Sequence, residues 1–210
     1  MDGTIIDSEQ YWMAAETALV TSWGGTWTHD DGLTLVGSGM WHTARVMQSR
    51  GVDLAEQAII DILTESVRGN IAVEIPWRPG ARELLLALHT AGMPQALVTM
   101  SERPLAELVS SAIDFPAFSA IVSSNDVTHA KPHPEPYLLG AAGLGVPVAD
   151  CVAIEDSEPG LASAVASGAV TIGVPHTVSL SDAQAHIIWD TLVGRTPADV
   201  SAVFLKGRSL

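Results

Sequence analysis

The chain has 210 residues, 47% of them hydrophobic, with 18 glycines and 12 prolines, which is typical of a folded, turn-rich globular protein. Its length suits one core domain with a sizeable insertion, or two small domains. The formal net charge of -14 argues against nucleic acid or an anionic membrane surface as a partner. A small anionic substrate would also be repelled at long range, so its site needs a cation or fixed hydrogen-bond donors.

The single cysteine, Cys151, excludes an intramolecular disulfide and favours a reducing compartment. No run approaches the roughly 20 apolar residues of a membrane span, and the first residues lack the basic and apolar regions of a signal peptide. We therefore expect a cytoplasmic protein without a membrane partner, either a monomer or a weak dimer.

The first third of the chain predicts a helical block with no clear strands. Apolar residues recur at helical spacing over residues 8–23, and further helices are predicted over 40–50 and from about 54 to 69. Glycines at 24–25 and at 51 end the first two of these helices.

From Pro79 onward the pattern changes. A helix is predicted to about His89, and short apolar runs then alternate with helices. The predicted strands are 95–99, 120–122, 151–154 and 170–174, and the helices between them are 105–112, 137–144 and 161–166. This alternation predicts an α/β fold, a doubly wound Rossmann-like parallel sheet with helices on both faces. The tail over residues 199–210, with its apolar run 200–205, is predicted as a last edge strand or a fraying end.

Polar residues follow three of the predicted strands. They are Thr99, Asn125 with Asp126, and Glu155 with Asp156. In an open parallel sheet, ligands bind outside the carboxyl ends of the strands. We therefore expect these residues to share one site.

Two acidic residues and one lysine carry the strongest local signals. The adjacent carboxylates of Glu155 and Asp156 at a strand end suit a hard cation such as Mg²⁺, although they could merely cap the next helix. Lys131, one of two lysines in the chain, is fixed between prolines before a helix. It could serve as a point-charge partner for phosphate, or be an exposed loop lysine.

Two further segments add polar groups. The hydroxyl of Thr99 and the backbone N–H groups of Met100 and Ser101 precede a predicted helix, an arrangement that binds phosphate oxygens. Near the first residue, Asp2-Gly3-Thr4 predicts a sharp turn at a strand end, leading to a helix that Ser8 could cap. Taken alone, Asp-Gly is a common turn.

Together these segments resemble, in order and spacing, the four motifs of the haloacid dehalogenase superfamily, and most of all its helical-cap phosphatases and phosphomutases of the beta-phosphoglucomutase type. The segments that match are Asp2-Gly3-Thr4 with Asp7-Ser8-Glu9, the run ending in Thr99, Lys131 before proline, and Glu155-Asp156-Ser157 before Gly160. The resemblance implies a Rossmann-like core formed by residues 1–9 and 77–210, with residues 10–76 as an inserted helical cap.

The resemblance also implies roles for these residues. Asp2 would be the general acid and base and would lend its backbone carbonyl to Mg²⁺. Asp156 would be a metal ligand, and Glu155 would support the metal shell. Thr99 and Lys131 would hold the phosphoryl oxygens.

One position departs from the family pattern. The family's first motif reads Asp-x-Asp-Gly-Thr, and its first Asp attacks phosphorus to form an aspartyl phosphate. Met1 stands at the x position of this motif. The nucleophilic Asp and the apolar strand before it would therefore precede Met1. We expect the natural chain to begin further upstream. A chain that starts at Met1 would lack the aspartyl-phosphate route.

We therefore expect a Mg²⁺-dependent phosphatase of a small phosphorylated metabolite, such as a sugar or polyol phosphate. Asp2 disfavours a dehalogenase, and the absence of lysine from residues 10–76 disfavours a Schiff-base phosphonatase. A phosphomutase of this type carries a cap His where this chain has residues 11–13, and a cap Arg where it has Met40. Both differences favour hydrolysis, so phosphomutase is the third of the candidate functions. An inactive relative that binds a phosphorylated ligand or a partner is the main alternative.

Substrate choice is expected to lie in the cap. Gly39, Trp41 and His42 are predicted to contact substrate, together with Met100 and Ser101 on the core side. A cap arginine, Arg45, could meet a second anionic group. The alternative for the cap tryptophans, Trp12 included, is that they pack the cap helices together.

Overall fold

The computed structural model describes residues 1–180 and 185–208. Residues 9–73 contain four helices and no strand: α1 (Glu9–Ser22), α2 (His29–Leu33), α3 (Met40–Ser49) and α4 (Glu56–Val73). The predicted helices over 8–23 and 40–50 are confirmed, and the helix predicted to end near Gly69 continues to Val73.

Helix α4 is the centre of this helical block. Both α1 and α3 pack against it. Its residues Ile59, Leu63 and Val67, four positions apart, are fully buried and form one apolar face, as the sequence spacing predicts. Among the described helices, none combines the length and the apolar character that a membrane crossing demands.

The remainder of the chain alternates between helices and short strands. Its elements are α5 (Ala81–Thr90), β1 (Ala96–Val98), α6 (Arg103–Ser111), β2 (Ala120–Val122), α7 (Glu135–Leu144), β3 (Val152–Glu155), α8 (Glu158–Ser167), β4 (Val170–Gly173), β5 (Ile187–Ile188) and α9 (Pro197–Gly207). All paired strands are parallel: β1 pairs with β2, while β4 lies between β3 and β5. The α/β fold with a parallel sheet is therefore confirmed. The two-residue strand β5 was not predicted.

The end of the chain corrects one expectation. The prediction of an edge strand or a fraying end is wrong for residues 199–207, because they lie in α9, and residues 209–210 lie outside the described residues. Thr196 and Asp199 form a capping box, in which the Asp199 carboxylate accepts the Thr196 backbone N–H at 2.9 Å and the Thr196 hydroxyl accepts the Asp199 N–H at 3.3 Å. Pro197 follows the cap at the start of the helix, where its fixed φ is favourable. Val200 and Val203 are buried on the inner face of α9.

The sheet consists of two parts, β1–β2 and β3–β4–β5, that are not hydrogen-bonded to each other in the described residues. A cavity of about 460 Å³ lies between them, lined by residues of β1 and β3. The buried apolar residues form a large cluster and a separate small one made of Ala153, Ala164 and Ala169.

The segment that enters the helical block and the segment that leaves it lie next to each other. Asp7 N–H donates to Pro76 O at 2.7 Å, and Arg78 N–H donates to Ile5 O at 2.8 Å. The Arg78 guanidinium also donates to Gly3 O at 2.8 Å. These bonds fix the turn at residues 2–4 beside the carboxyl ends of the strands.

Candidate active site

A cavity of about 90 Å³ lies between the helical block and the carboxyl ends of β1 and β3. The predicted site residues that line it are Asp2, Thr99, Met100, Ser101, Lys131, Glu155 and Asp156. Four segments that are far apart in sequence therefore meet at one point. Asn125 and Asp126 do not line this cavity. They bind Arg103 instead, through its backbone N–H at 2.9 Å and its guanidinium at 2.6 Å.

The Asp2 carboxylate is held by four donors. Oδ1 accepts from the Ser8 hydroxyl at 2.5 Å and from the Trp12 indole N–H at 3.3 Å. Oδ2 accepts from the hydroxyls of Ser101 at 2.6 Å and Thr99 at 3.4 Å. The predicted capping role of Ser8 is wrong in one respect: it stands at the cap position of α1, but its side chain makes no cap hydrogen bond. Its hydroxyl orients Asp2.

The segment after β1 turns sharply so that two hydroxyls face the same carboxylate. Thr99 Oγ1 accepts the backbone N–H of Ser101 at 3.1 Å, which tightens the turn before α6. Thr99 and Ser101 are both buried. The binding of phosphate oxygens by this segment stays a prediction, and the helix that follows it, α6, begins at Arg103.

Lys131 lies in a buried polar cluster. Its ammonium group donates to the Glu155 carboxylate and to the backbone carbonyl of Val98, the latter at 3.3 Å. Its side chain is only 7% exposed, so the alternative of an exposed loop lysine is wrong. The Tyr137 hydroxyl donates to the same carboxylate oxygen of Glu155. Sequence reasoning missed Tyr137 because the residue lies inside α7, six positions from Lys131.

Charges within this cluster set the protonation of Glu155. Burial alone would raise the pKa of Glu155, but the ammonium of Lys131 lowers it below its usual value. Burial beside the same carboxylate raises the pKa of Tyr137 well above its usual value. The Glu155 carboxylate is thus ionised and turned toward Lys131.

Asp156 faces the turn at residues 2–4. Its Oδ1 accepts from the Thr4 hydroxyl at 2.6 Å. Burial, with the charge of Glu155 next to it, raises the pKa of Asp156 to about 6. The helix-capping alternative holds for Ser157 alone, whose hydroxyl accepts the Gly160 N–H at 3.3 Å at the start of α8.

Two acids on α1 complete the cavity wall and were not predicted. Burial, followed by the charge of Asp2, raises the pKa of Glu9 to about 8. Burial also raises the pKa of Glu16 to about 7, against the opposing effect of a hydrogen bond from the Trp27 indole N–H at 3.3 Å. A signal was present in the sequence, because Glu9, Trp12 and Glu16 follow the i, i+3, i+7 spacing of one helix face.

The balance of charge suits a hard cation. Among the described residues that line the cavity, Lys131 carries the only basic side chain, against five acidic ones. Two of these, Glu9 and Glu16, have pKa values raised to about 8 and about 7, so the negative charge at pH 7 lies mainly on the other three. Carboxylate and carbonyl oxygens are the ligands that Mg²⁺ takes. Asp156 and Asp2 offer such oxygens, whereas Glu155 is already engaged by Lys131 and Tyr137.

The predicted substrate contacts of the cap lie outside the cavity wall. Trp41 is 51% exposed, His42 is exposed, and Arg45 pairs with Glu56 at 3.2 Å. Gly39 lies close to the loop of Lys131, since a Cβ on it would be 3.2 Å from the Cβ of Ala130. Their roles in binding stay predictions. Trp12, by contrast, is buried and contacts Asp2 directly.

A separate group of potential metal ligands lies in the loop that contains Lys131. His129, His133 and Glu135 bring one ligand atom each within 4.8 Å of one another. The Glu135 carboxylate accepts from the backbone N–H of Thr128 at 2.7 Å and lies 2.8 Å from His129 Nδ1. Both histidines are exposed.

The parallel sheet, the helices that follow the first turn and the acids gathered at the strand ends define an α/β protein with a candidate active site at the carboxyl ends of its strands. The chain belongs to the haloacid dehalogenase-like hydrolases, because the model of that family matches residues 1–168. The predicted resemblance is therefore confirmed.

Three relatives show how far the similarity extends. The chain is 30% identical over 176 residues to fructose-1-phosphate phosphatase YqaB of Escherichia coli, a match covering 83% of this chain and 93% of the relative. It is 40% identical over 96 residues to hexitol phosphatase A of Escherichia coli, covering 46% of this chain and 44% of that protein. The crystal structure of CbbY from Rhodobacter sphaeroides in complex with phosphate matches with a TM-score of 0.84 and 26% identity, covering 96% of both chains.

Proposed function

We propose that this protein is a Mg²⁺-dependent phosphatase that hydrolyses a small phosphorylated metabolite, such as a sugar or polyol phosphate. The observation that carries the proposal is the arrangement of Asp2, Thr99, Ser101, Lys131 and Asp156 around one cavity. Support comes from the relatives, whose names describe phosphatases of fructose 1-phosphate and hexitol phosphates. A cytoplasmic location and a monomeric or weakly dimeric state belong to the same proposal.

Asp2 is the proposed general acid and base. In its protonated form, the carboxyl group would give its proton to the leaving oxygen of the ester, and the carboxylate that results would then accept a proton from the attacking water. The bonds from the Ser8 hydroxyl at 2.5 Å and the Trp12 indole N–H at 3.3 Å restrict the orientation of this carboxyl group before substrate binds.

Thr99, Ser101 and Lys131 are the proposed phosphoryl-binding groups. The two hydroxyls can turn from Asp2 to a phosphoryl oxygen, since a hydroxyl rotates freely about its C–O bond. Lys131 supplies a positive charge in a pocket that is otherwise acidic, where a phosphate ester would be repelled without it.

Asp156 and the backbone carbonyl of Asp2 are the groups that would hold Mg²⁺, with Glu155 acting through Lys131. A bound Mg²⁺ neutralises the charge of a phosphoryl group. The pKa of Asp156, raised to about 6, leaves the carboxylate mostly ionised at pH 7 and thus able to act as a ligand. Division of the chain into a core (residues 1–9 and 77–210) and a cap (residues 10–76) belongs to the same proposal.

The aspartyl-phosphate route needs one more carboxylate, that of an Asp joined directly to Met1. The test is phosphate release from fructose 1-phosphate and hexitol phosphates, measured with Mg²⁺ and with EDTA. The test protein carries an N-terminal extension that ends in Asp, and the matched control carries the same extension ending in Asn. We expect Mg²⁺-dependent turnover with the Asp extension only. Asp2→Asn, introduced into the Asp-extended protein, should abolish that turnover. No release of phosphate from any ester by the Asp-extended protein would exclude the proposal.

A binding protein without turnover is the second candidate. The observation that favours it is the Asp2 carboxylate, whose two oxygens already accept four hydrogen bonds. This candidate predicts that phosphate esters raise the melting temperature of the Asp-extended protein although no phosphate is released. A phosphomutase ranks third, and a trapped bisphosphate intermediate would revive it.

A further inference from the structure

Three potential metal ligands lie on the exposed side of the loop that carries Lys131. His129, His133 and Glu135 each bring one ligand atom within 4.8 Å of the others. Both histidines are exposed, and none of the three residues lines the active-site cavity of about 90 Å³. A role for this group is therefore independent of the reaction proposed for that cavity.

The distances within the group suit a tetrahedral metal site. Nδ1 of His129 lies 2.8 Å from Oε2 of Glu135, and Nδ1 of His133 lies 4.0 Å from the same oxygen. Zinc bonds of about 2.0 to 2.2 Å place two ligand atoms of a tetrahedral site roughly 3.4 Å apart. One observed distance is shorter than this value and the other is longer. A small rotation of each exposed imidazole about its side-chain bonds brings both to it.

The ring nitrogens already face the carboxylate. Nδ1 of His133 accepts the backbone N–H of Glu135 at 3.2 Å, so this nitrogen carries a lone pair and no hydrogen. The rings of His129 and His133 lie beside each other, with centroids 4.5 Å apart and an angle of 30° between their planes. An imidazole nitrogen with a free lone pair, directed toward a carboxylate, is a ligand ready for a metal ion.

Hydrogen bonds hold the loop in this shape. The Glu135 carboxylate accepts the backbone N–H groups of Thr128 at 2.7 Å and His129 at 2.9 Å, which ties the two ends of the loop together. The hydroxyl of Ser163 on α8 donates to the backbone carbonyl of His133 at 2.6 Å. Prolines further limit the backbone at positions 132, 134 and 136. A loop fixed in this way loses little conformational entropy when it binds an ion.

We propose that His129, His133 and Glu135 bind a Zn²⁺ ion, with water completing its coordination. Two imidazoles and a carboxylate are ligands that zinc takes, whereas Mg²⁺, the ion proposed for the active site, takes oxygen ligands. The zinc ion joins the two flanks of the loop whose inner residue, Lys131, reaches the active-site cavity. It thus fixes this loop from its outer side. The zinc site does not depend on the protein being a phosphatase.

Zinc titration of the full chain tests the site. The protein is prepared without a histidine tag, and isothermal titration is run with excess Mg²⁺, which competes for the active-site carboxylates. We expect one Zn²⁺ per chain to bind in a step that His129→Ala and His133→Ala each weaken by more than about 10-fold, since even an outer-shell partner of a metal ligand contributes that much. The matched control is His29→Ala, which removes an exposed histidine outside the group and should leave this step unchanged. No saturable binding, or equal binding by all variants, would overturn the proposal.

Thermal stability supplies a second readout and shows that each variant is folded. When Zn²⁺ is present at 100 times its dissociation constant, binding to the folded state should raise the melting temperature by roughly 5 to 10 °C for a chain of this length. His29→Ala should show the same rise, and His129→Ala at most about half of it. Each rise is measured within one variant, so differences in stability without zinc cancel. An equal rise in all three proteins would locate the zinc elsewhere and contradict the proposal.

Two further measurements identify the ligands and locate the ion. Co²⁺ in place of Zn²⁺ should give the visible absorption bands of a four-coordinate ion bound by nitrogen and oxygen, and His133→Ala should remove them. Zn²⁺ should also slow amide hydrogen exchange over residues 128–135, on both sides of Lys131, because the ion joins the flanks of the loop. Zinc binding that leaves the exchange in this loop unchanged would count against the proposed ligands.

Discussion

The hydroxyl of Thr4 donates a hydrogen bond to Asp156 Oδ1 at 2.6 Å, although 152 positions separate the two residues. This bond joins the turn before α1 to the carboxyl end of β3. Gly3 lies against the other oxygen of the same carboxylate. A Cβ on Gly3 would be 2.0 Å from Asp156 Oδ2, and its φ of +71° is one that L side chains rarely adopt.

The first prediction concerns Gly3. We expect Gly3→Ala to lower the free energy of unfolding by at least about 3 kcal/mol, because it combines backbone strain with a collision against a buried carboxylate. The matched control is Gly24→Ala, where φ is +75° and nothing lies within 4 Å of the added Cβ. The control should lose only about 1 kcal/mol, the cost of the left-handed conformation. Urea unfolding measures both, and equal losses would show that the contact with Asp156 is unimportant.

The second prediction concerns pH and Glu16. Burial raises the pKa of this carboxyl to about 7 in the folded protein, from 4.5. The folded state therefore binds more protons than the unfolded state between those values, so the stability contributed by protonated Glu16 is complete below pH 4.5 and is lost as the pH rises through 7. We expect Glu16→Gln to be more stable than the unchanged protein at pH 8, by up to about 3 kcal/mol.

Denaturant unfolding at pH 5 and pH 8 measures this difference. Glu83→Gln removes the same charge at an exposed position and is the control. It should change the stability little at either pH. A Glu16→Gln protein whose stability falls with pH as steeply as that of the unchanged protein would refute the assignment.

The third prediction concerns the ion pair between Lys131 and Glu155, whose side chains are 7% and 6% exposed. We expect Lys131→Met to cost about 3 to 5 kcal/mol, because it leaves a buried carboxylate without its counter-charge. The double variant Lys131→Met with Glu155→Gln should recover much of that loss, since no buried charge then remains unpaired. Lys206→Met, at the exposed end of α9, should be nearly neutral. Additive losses in the double variant would contradict a direct coupling.

The fourth prediction concerns the capping box of α9. We expect Thr196→Ala to lower the free energy of unfolding by about 1 kcal/mol, because the Asp199 N–H loses its acceptor. Ser201→Ala, within the same helix, should have a smaller effect because it leaves the cap unchanged. Thermal unfolding followed by circular dichroism compares the two. A Thr196→Ala protein as stable as the Ser201→Ala protein would show that α9 depends on its packing alone.

The order of helices and strands could be predicted because periodicity is a local property. Strands such as Ala120–Val122 are short apolar runs between turn residues, and α4 carries its apolar face at regular spacing. The prediction for the tail was wrong because residues 200–205 are equally apolar in a strand or a helix. The capping box of Thr196 and Asp199, which ends directly before this run, decided the outcome.

Site residues that directly follow a strand could be predicted from the sequence. Residues that reach the site from a helix elsewhere in the chain could not. Thr99 and Asp156 could be placed together because parallel strands end at one edge of the sheet. Tyr137 meets the site through the packing of α7, which no local pattern reveals. Glu16 lies on the same helix face as Glu9, so its place on the cavity wall depends on how α1 packs, although its spacing from Glu9 was a signal. Trp41 was expected at the cavity but is half exposed, since helix α3 turns that residue outward.

The bonds between Asp7 and Pro76 and between Ile5 and Arg78 hold two chain segments next to each other at the base of the helical block. Everything from residue 8 to residue 75 is thereby a closed excursion whose two ends meet. A short peptide spanning Asp7 and Pro76 could replace the whole excursion without moving either end, and a helical block of another size could be spliced in at the same junction. The part of the cavity wall that this excursion supplies can therefore be exchanged as one unit, while the strand ends that carry Thr99 and Asp156 stay in place.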